Sequence, residues 1–332
     1  MDAPNPVSAI TARAFSDIMT QHPCGGALAV AVSGGADSMA LFVLLHGWAE
    51  TNARKVHVLT VDHGLRPESA AEAQQVKTFV ATYPHATHQT LIWQGEKPQT
   101  KIQESARHAR YDLMADYCEQ NSIKDLFLAH HADDQLETIL FRLAKGSGLD
   151  GLCGMRHIVA FDDTLTLHRP LLGMEKHALM ATCAAHNAPI VHDPSNHNPA
   201  YARPRLRQAL AEEGLSVKRL VKTTERLQRA QTALDHYAQD FVLNHCVKSD
   251  GYRIDIHQLK STPFEIVVRV MKVLMDEINP DHSARMEKVE TLCETVVNDQ
   301  DFKKATLGGV IFAVDHGAKR LSMVAEHPCT GA

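Results

Sequence analysis

Three observations predict an α/β fold, a doubly wound parallel sheet followed by a smaller, mainly helical domain. Apolar runs alternate with amphipathic helical stretches through the first half of the chain. Glycine-rich or acidic clusters stand at the ends of those runs, where such a sheet collects its ligands. At 332 residues the chain is long for one core, so two domains are expected.

The first strand is predicted over Ala27 to Val32, and Ser33-Gly34-Gly35-Ala36-Asp37-Ser38 links it to a helix over Met39 to Trp48. Further strands are expected at Val56 to Val61, Thr87 to Trp93 and Leu126 to His130. They alternate with helices at Ser69 to Thr82, Lys101 to Glu119 and Ala132 to Lys145. A strand at Thr164 to Leu172 and a helix at Glu175 to Asn187 finish a first domain placed at residues 1–210, with a turn at Asp193-Pro194-Ser195-Asn196. Residues 211–332 are expected to begin with one long amphipathic helix, Ser216 to Cys246, carrying Leu220, Leu227, Leu234 and Phe241 on one stripe. Helices at Pro263 to Glu277 and Ser283 to Val297 and a short strand region, Thr306 to Ala325, complete it.

Composition narrows the class. Hydrophobic residues at 44% and charged residues at 22% describe a soluble globular protein. The amino terminus lacks a basic start with an apolar stretch behind it, and no run reaches membrane-spanning length, so a cytoplasmic location is expected. Seven cysteines without a C-x-x-C pair read as reduced thiols, with no zinc or iron–sulfur signature. The formal net charge of −5 excludes a protein that coats nucleic acid over its whole surface. A local basic patch survives that test: Tyr201 to Ala230 holds eight Arg or Lys against three Glu. Arg203, Arg205, Arg207, Lys218, Lys222, Arg226 and Arg229 are its candidates for contacts to a phosphate backbone.

The Ser33 to Ser38 turn is a phosphate cradle in outline. Glycines let the backbone approach an anion, serine hydroxyls can donate to it, and the following helix start turns N–H groups toward negative charge. It lacks the lysine of a Walker loop and the third glycine of a dinucleotide fingerprint, and Asp37 inside it suits a magnesium ion carried by the nucleotide. An ordinary capped glycine turn is the competing explanation for this stretch alone. At the fourth strand's end, His130-His131-Ala132-Asp133-Asp134-Gln135-Leu136-Glu137 places three carboxylates near a helix start. With Leu136, Ile139, Leu140 and Leu143 as the buried face, Asp133, Asp134 and Glu137 are expected on the flank beside it. They could serve the helix dipole alone, or hold magnesium or a cationic substrate. On the Lys101 to Glu119 helix, Ile102, Ala106, Ala109 and Leu113 are expected inside, with Glu104, Arg107 and Tyr111 opposite and Arg110 between. The arginines are either a solvated stripe or a grip on phosphate oxygens. Gly146, Gly148, Gly151 and Gly154 go beyond a helix C-cap and suggest a loop close to a ligand.

Together, Ser33 to Ser38, Val61-Asp62-His63-Gly64-Leu65-Arg66, Glu104 to Tyr111, His130 to Thr138 and Gly146 to Met155 resemble the tRNA(Ile)-lysidine synthase family. Arg169-Pro170-Leu171-Leu172 and Asp193 to Asn196 extend the likeness, which spans about residues 27 to 207. The first motif alone is shared by the N-type ATP pyrophosphatase (PP-loop) superfamily; the order of all five is more selective. The resemblance implies an adenine nucleotide alpha hydrolase-like fold and a C–N bond-forming ligase that uses ATP and magnesium. Its partners would be L-lysine and tRNA(Ile) with a CAU anticodon. Carried onto this chain, it implies an ATP site of Ser33, Gly34, Gly35, Ala36, Asp37, Ser38, Asp62, His63, Arg107 and Arg110, with Asp37 also holding magnesium. Lysine would meet His131, Asp134 and Glu137, and Asp37, Asp134 and Glu137 would be catalytic. Where the family commonly carries Arg-Asn before Ile-Arg, this chain reads Ala202-Arg203-Pro204-Arg205-Leu206-Arg207. A tRNA cytidine thiolase is the nearest rival and a non-catalytic nucleotide sensor the next. The oligomeric state is left open, a homodimer among the options.

Overall fold

The computed structural model describes residues 8–64, 68–95, 102–191, 216–280 and 284–326, with the side chains of residues 102–104 left aside. The chain divides into two compact units, Met1–Glu225 and Arg226–Ala332.

In the first unit six strands form one sheet: β1 (Leu28–Ala31), β2 (Val56–Asp62), β3 (Ala86–Ile92), β4 (Asp125–Phe127), β5 (Ile158–Ala160) and β6 (Thr166–His168). Their order is β3-β2-β1-β4-β6-β5, parallel throughout except for the edge strand β5. The chain winds outward from β1 to β3 and returns to place β4 on β1's other side. The winding therefore reverses between β1 and β4, and the crevice beyond their carboxyl ends is the expected ligand position.

Both faces of the central strands are covered, which is why β1 and β4 are buried at consecutive positions. Leu28 and Val30 of β1 and Phe127 of β4 pack with helix α2 (Ala36–Thr51) and with Leu179 and Cys183 of α7 (Lys176–Ala185). Helices α1 (Ala12–Met19) and α3 (Ser69–Val80) complete that layer through Phe15, Met19, Val76 and Val80. Ala29, Leu126, Leu128 and Leu167 point the other way, to Met114 and Cys118 of α4 (Ile102–Gln120). Helix α2 is buried almost without a break from Ser38 to Leu45, as an element apolar on every side must be. α5 (Ala132–Ala144) follows β4, and the one-turn α6 (Leu149–Leu152) follows α5.

Helix α8 (Val217–His245) runs as the heptad pattern predicts and carries Lys218, Lys222, Arg226 and Arg229 on its exposed side. The second unit is helical as expected and carries more strand than the short region expected near its end. Strands β7 (Cys246–Ser249), β8 (Gly251–Asp255), β9 (Lys304–Leu307), β10 (Val310–Asp315) and β11 (Arg320–Ala325) form an antiparallel sheet ordered β7-β8-β11-β10-β9. Its inner residues, among them Ile254, Phe312, Leu321 and Met323, share a core with Val267, Val270, Met271 and Leu274 of α10 (Phe264–Ile278) and with Val289 and Val296 of α11 (Met286–Asn298). The short α9 (Ile256–Ser261) is capped by Asp255, whose carboxylate accepts from His257 N at 2.7 Å. The β7–β8 hairpin was legible in retrospect: Asp250-Gly251 marks the turn and Tyr252 and Ile254 alternate inward. Gly251, at φ +90°, has no room for a side chain, since a Cβ there would lie 2.0 Å from the Met323 carbonyl oxygen.

Smaller corrections concern the elements around the crevice. α2 starts at Ala36, so Asp37 and Ser38 belong to its first turn. β4 ends at Phe127, leaving His130 and His131 in the connection to α5. The strand expected over Thr164 to Leu172 shortens to Thr166–His168 and pairs with β5, an edge strand the sequence reading missed. Among the described residues no helix is long and apolar enough to cross a membrane.

Candidate functional site

The turn after β1 is built for backbone exposure. Gly34 sits at φ +86°, and a Cβ there would lie 2.8 Å from Val191 Cγ2, so glycine is required on both counts. Ser38 Oγ accepts from Ser33 N at 3.1 Å and donates to Gly35 O at 3.0 Å, closing the turn on itself. Gly35 is the N-cap of α2 and supplies no side-chain acceptor, so the helix start is offered to an anion instead.

On the other side of the crevice, His131 is the N-cap of α5 and 1% exposed. Its backbone N–H donates to Asp134 Oδ2 at 3.1 Å, the reciprocal half of a capping box. Its ring reaches across the switch point, with Nε2 3.4 Å from Asp37 Oδ2 and 3.5 Å from Asp134 Oδ2, and Nδ1 3.3 Å from Asp133 Oδ2. Burial acts to lower the ring's pKa, but hydrogen bonds to Asp133 and Asp37 and the charges of Asp134 and Asp37 outweigh it and push the value up to about 9. The ring thereby links the phosphate turn to the acidic helix start, its Nδ1 also accepting from Asp133 N at 3.2 Å.

The acidic cluster is arranged differently from the sequence expectation. Glu137 is 3% exposed and lies on the buried side of α5 with Gln135, Leu136 and Ile139, whereas Leu143 is 55% exposed. The reason is a polar neighbour. Gln135 donates Nε2 to Met155 O at 2.7 Å and accepts from Met155 N at 2.6 Å, docking the glycine loop against the helix. Arg142 Nη1 donates to Gly151 O and Gly154 O at 3.0 and 3.1 Å. At Gly154, φ is +67° and a Cβ would lie 2.6 Å from Gln135 Oε1. Gly154 thus admits close approach of the Gln135 side chain and Gly151 that of Ser147, and Gly146, at φ +73°, ends α5.

At the end of β2, Asp62 accepts from Gly64 N at 2.8 Å and Ser69 Oγ at 2.6 Å, while His63 meets Arg110 Nη2 at 3.2 Å and the edge of Trp93. Arg107 instead lies over the Tyr111 ring, 5.3 Å from its centroid. α4 buries Ala106, Met114 and Cys118, with Ala109 and Leu113 only half-buried and Tyr111 packed toward the sheet rather than away from it. Lys176, at the start of α7, stands 4.0 Å from Asp37 Oδ2. Sequence reasoning passed over Lys176, Gln135 and Arg142, because each acts through a partner distant in sequence. Ser33 to Ser38, His131 and the Asp133 to Glu137 cluster come together at one crevice, and Asp62, His63 and Arg110 stand at the neighbouring strand end. Asp193 to Asn196, Arg203, Arg205 and Arg207, Leu65 and Arg66, and the Glu104 side chain lie outside what is described.

Among the described residues no group of three or more His, Cys, Asp or Glu is arranged to hold a metal ion. Six described cysteines are unbridged. Burial raises the Cys118, Cys246 and Cys293 thiols to about 12 and Cys183 to about 11, so none of these four is a thiolate near neutral pH.

Residues 8–214 match the family model of the PP-loop domain. A tRNA(Ile)-lysidine synthase of Bradyrhizobium sp. (strain BTAi1 / ATCC BAA-1182) is 37% identical over 323 residues, covering 90% of each chain. One from Rhodopseudomonas palustris is 36% identical over 87% of this chain and 85% of its own. The Anaplasma marginale enzyme of that name is 36% identical over 86% of this chain but 62% of its own length. Among solved structures, the U34-tRNA thiolase NcsA from Methanococcus maripaludis, with its [4Fe-4S] cluster, superposes with a TM-score of 0.54 at 14% identity. That likeness covers 65% of this chain and 77% of the thiolase and bears on the fold alone.

Proposed function

Because this chain belongs to the tRNA(Ile)-lysidine synthase family, with a PP-loop domain over residues 8–214, we propose that it joins free L-lysine to C2 of the first anticodon cytidine of tRNA(Ile) with a CAU anticodon. The observation that carries the reading is the meeting, across the β1–β4 switch point, of a glycine-built phosphate turn with an acidic cluster linked to it by His131.

The turn, with Ser33, Ser38 and the start of α2, receives the triphosphate of ATP. Arg110, beside His63, is offered to its phosphate oxygens, while Arg107 is turned to Tyr111 instead. Asp37 is the candidate magnesium ligand, because that ion is usually held by one or two carboxylates together with substrate phosphates, and Asp37 stands partly exposed at the phosphate turn. When bound, magnesium neutralises charge on the phosphates. The cytidine C2 oxygen attacks the α-phosphorus, the bond to pyrophosphate breaks, and the base carries AMP. The ε-amine of lysine then attacks C2 and the C2–O bond to AMP breaks, leaving lysidine.

The acidic cluster supports the second step. Lysine is an ammonium near neutral pH, so its nitrogen must first be held and then relieved of a proton. Glu137, buried on α5, and Asp134, three residues earlier, offer the carboxylates. His131 acts by holding Asp134 and Asp37 in place. Arg203, Arg205 and Arg207 and the exposed stripe Lys218, Lys222, Arg226 and Arg229 are assigned to the tRNA backbone. The unpaired cytidine can leave its stack at modest cost.

The test is ATP-dependent incorporation of labelled lysine into a tRNA(Ile) transcript with a CAU anticodon. Incorporation into that transcript and not into one with a changed first base is expected. Sulfur transfer without lysine incorporation would replace this reading with a thiolase, for which the protonated thiols of Cys118, Cys183, Cys246 and Cys293 are poorly suited.

A further inference from the structure

A buried cation stands one strand beyond the site already described. Arg169 closes β6 and is 8% exposed. Its backbone N–H donates to His157 O at 2.8 Å and Nη1 donates to Arg156 O at 3.1 Å. Its Nε has no hydrogen-bond partner. The Tyr111 hydroxyl acts on the guanidinium, and Arg107 adds a like charge from the far side of that phenol. Among the described residues no carboxylate pairs with Arg169. Burying a guanidinium without a counter-charge is costly, and such a group is ordinarily paired or replaced by an apolar one. Two arginines around one hydroxyl, with no carboxylate paired to Arg169 among the described residues, describe a seat for phosphate oxygens. Tyr111 is itself held by stacking on Phe161, with ring centroids 5.8 Å apart and planes at 21°, so the seat is preformed.

Position decides which phosphate. Arg169 shares the α4 side of the sheet with Leu165 and Leu167, by strand alternation, whereas the turn at 33–38 leads into α2 on the opposite side. β6 is also separated from β1 by β4, a displacement of about 10 Å at ordinary strand spacing. The basic helix lies nearby instead. Burial lowers the pKa of His157, the residue whose carbonyl holds Arg169, and the charge of Glu225 on α8 works against that shift, so the first turns of α8, with Lys218 and Lys222 exposed, border the same edge. We infer that Arg169, with Arg107 and the Tyr111 hydroxyl, seats a backbone phosphate of the RNA strand that carries the base to be modified. This rests on the function proposed above and adds a contact that fixes the strand on the α4 side of the crevice.

The experiment compares Arg169→Met and Arg169→Lys with the full wild-type chain. Thermal unfolding, filter binding of the tRNA(Ile) transcript at several salt concentrations, and calorimetric binding of a non-hydrolysable ATP analogue are read side by side. Arg169→Met is expected to unfold no earlier than wild type, because an uncompensated charge has been removed. It should bind the transcript about tenfold more weakly, with a salt slope reduced by about 0.7, and bind the analogue as before. Arg169→Lys should fall between the two in transcript affinity, since it keeps the charge and loses the fork. Unchanged transcript binding, or failure of both variants to fold, would make Arg169 a structural cation and overturn the inference. Weakened analogue binding with intact transcript binding would assign the seat to the nucleotide and overturn it too. Failure of the wild-type chain to incorporate lysine would sink the proposed reaction while leaving this binding comparison readable.

Discussion

Replacing Gln135 with leucine tests how the acidic helix is kept in place. The side chain is 4% exposed and makes two bonds to one residue's backbone, donating to Met155 O at 2.7 Å and accepting from Met155 N at 2.6 Å. Leucine has similar bulk and no polar atoms, so the change removes hydrogen bonding while filling nearly the same space. Each buried group left unsatisfied costs about 1–3 kcal/mol, and two such groups set an upper range of about 2–6 kcal/mol. Gly154 and Met155 can escape part of that by swinging toward water, while Arg142 still ties the loop to α5 through Gly151 O and Gly154 O. The net loss is therefore expected near the lower end, about 2–3 kcal/mol, or roughly 4–12 °C in unfolding midpoint for a unit of this size. Two assays separate the possibilities. Urea unfolding reads the total, and hydrogen exchange at the Met155 amide reads the loop, where protection should collapse before that of the sheet. An unfolding midpoint equal to wild type with full protection at Met155 would refute the role assigned to Gln135.

Four further outcomes are expected. Asp37→Ala should abolish ATP-dependent adenylation of the transcript while changing stability by no more than about 1 kcal/mol, since the side chain is part-exposed; persistent pyrophosphate release would take Asp37 out of the site. Glu137→Gln should raise the KM for lysine at least tenfold and leave ATP affinity within about twofold, and a parallel loss in both would contradict a lysine-facing role. Burial, reinforced by His168 and His157, lowers the pKa of His22 from 6.5 to about 4, so the folded chain keeps this ring neutral beside His168, which in turn bonds Asp125. The stability it represents is complete above about pH 6.5 and is lost as pH falls toward 4, up to about 3 kcal/mol. Urea titrations of His22→Gln should lack that acid-side slope. Neutralising Lys218, Lys222 and Arg229 together should weaken transcript binding and lower its salt slope by about 2, and an unchanged slope would return the stripe to solvent.

The crevice was largely legible because its parts are local. A glycine turn between an apolar run and a helix, and a histidine followed by three carboxylates, are patterns whose residues lie within one turn of each other. Their placement at strand ends followed from the alternation of elements alone. What escaped were arrangements made by contact between distant segments. Leu143 reads as a core residue by helical spacing, yet it is exposed, because Gln135 turns α5 toward a polar loop twenty residues downstream. β5 is too short to carry a period, and it exists as a strand because Val159 pairs with Leu167. The strands β7 and β8 were passed over although Asp250-Gly251 announced them, because the long helix before them ends only one residue earlier.

By itself the amino-acid order determined the phosphate turn, the succession of strands and helices, and the basic stripe, since backbone freedom at glycine, apolar periodicity and charge spacing are properties of short stretches. Only tertiary structure decided that His131 bridges Asp37 and Asp134, that Glu137 is buried, and that Arg169 is buried with no carboxylate partner among the described residues. Those outcomes depend on which strands lie side by side, and that is set by the whole chain's effort to cover both faces of one sheet.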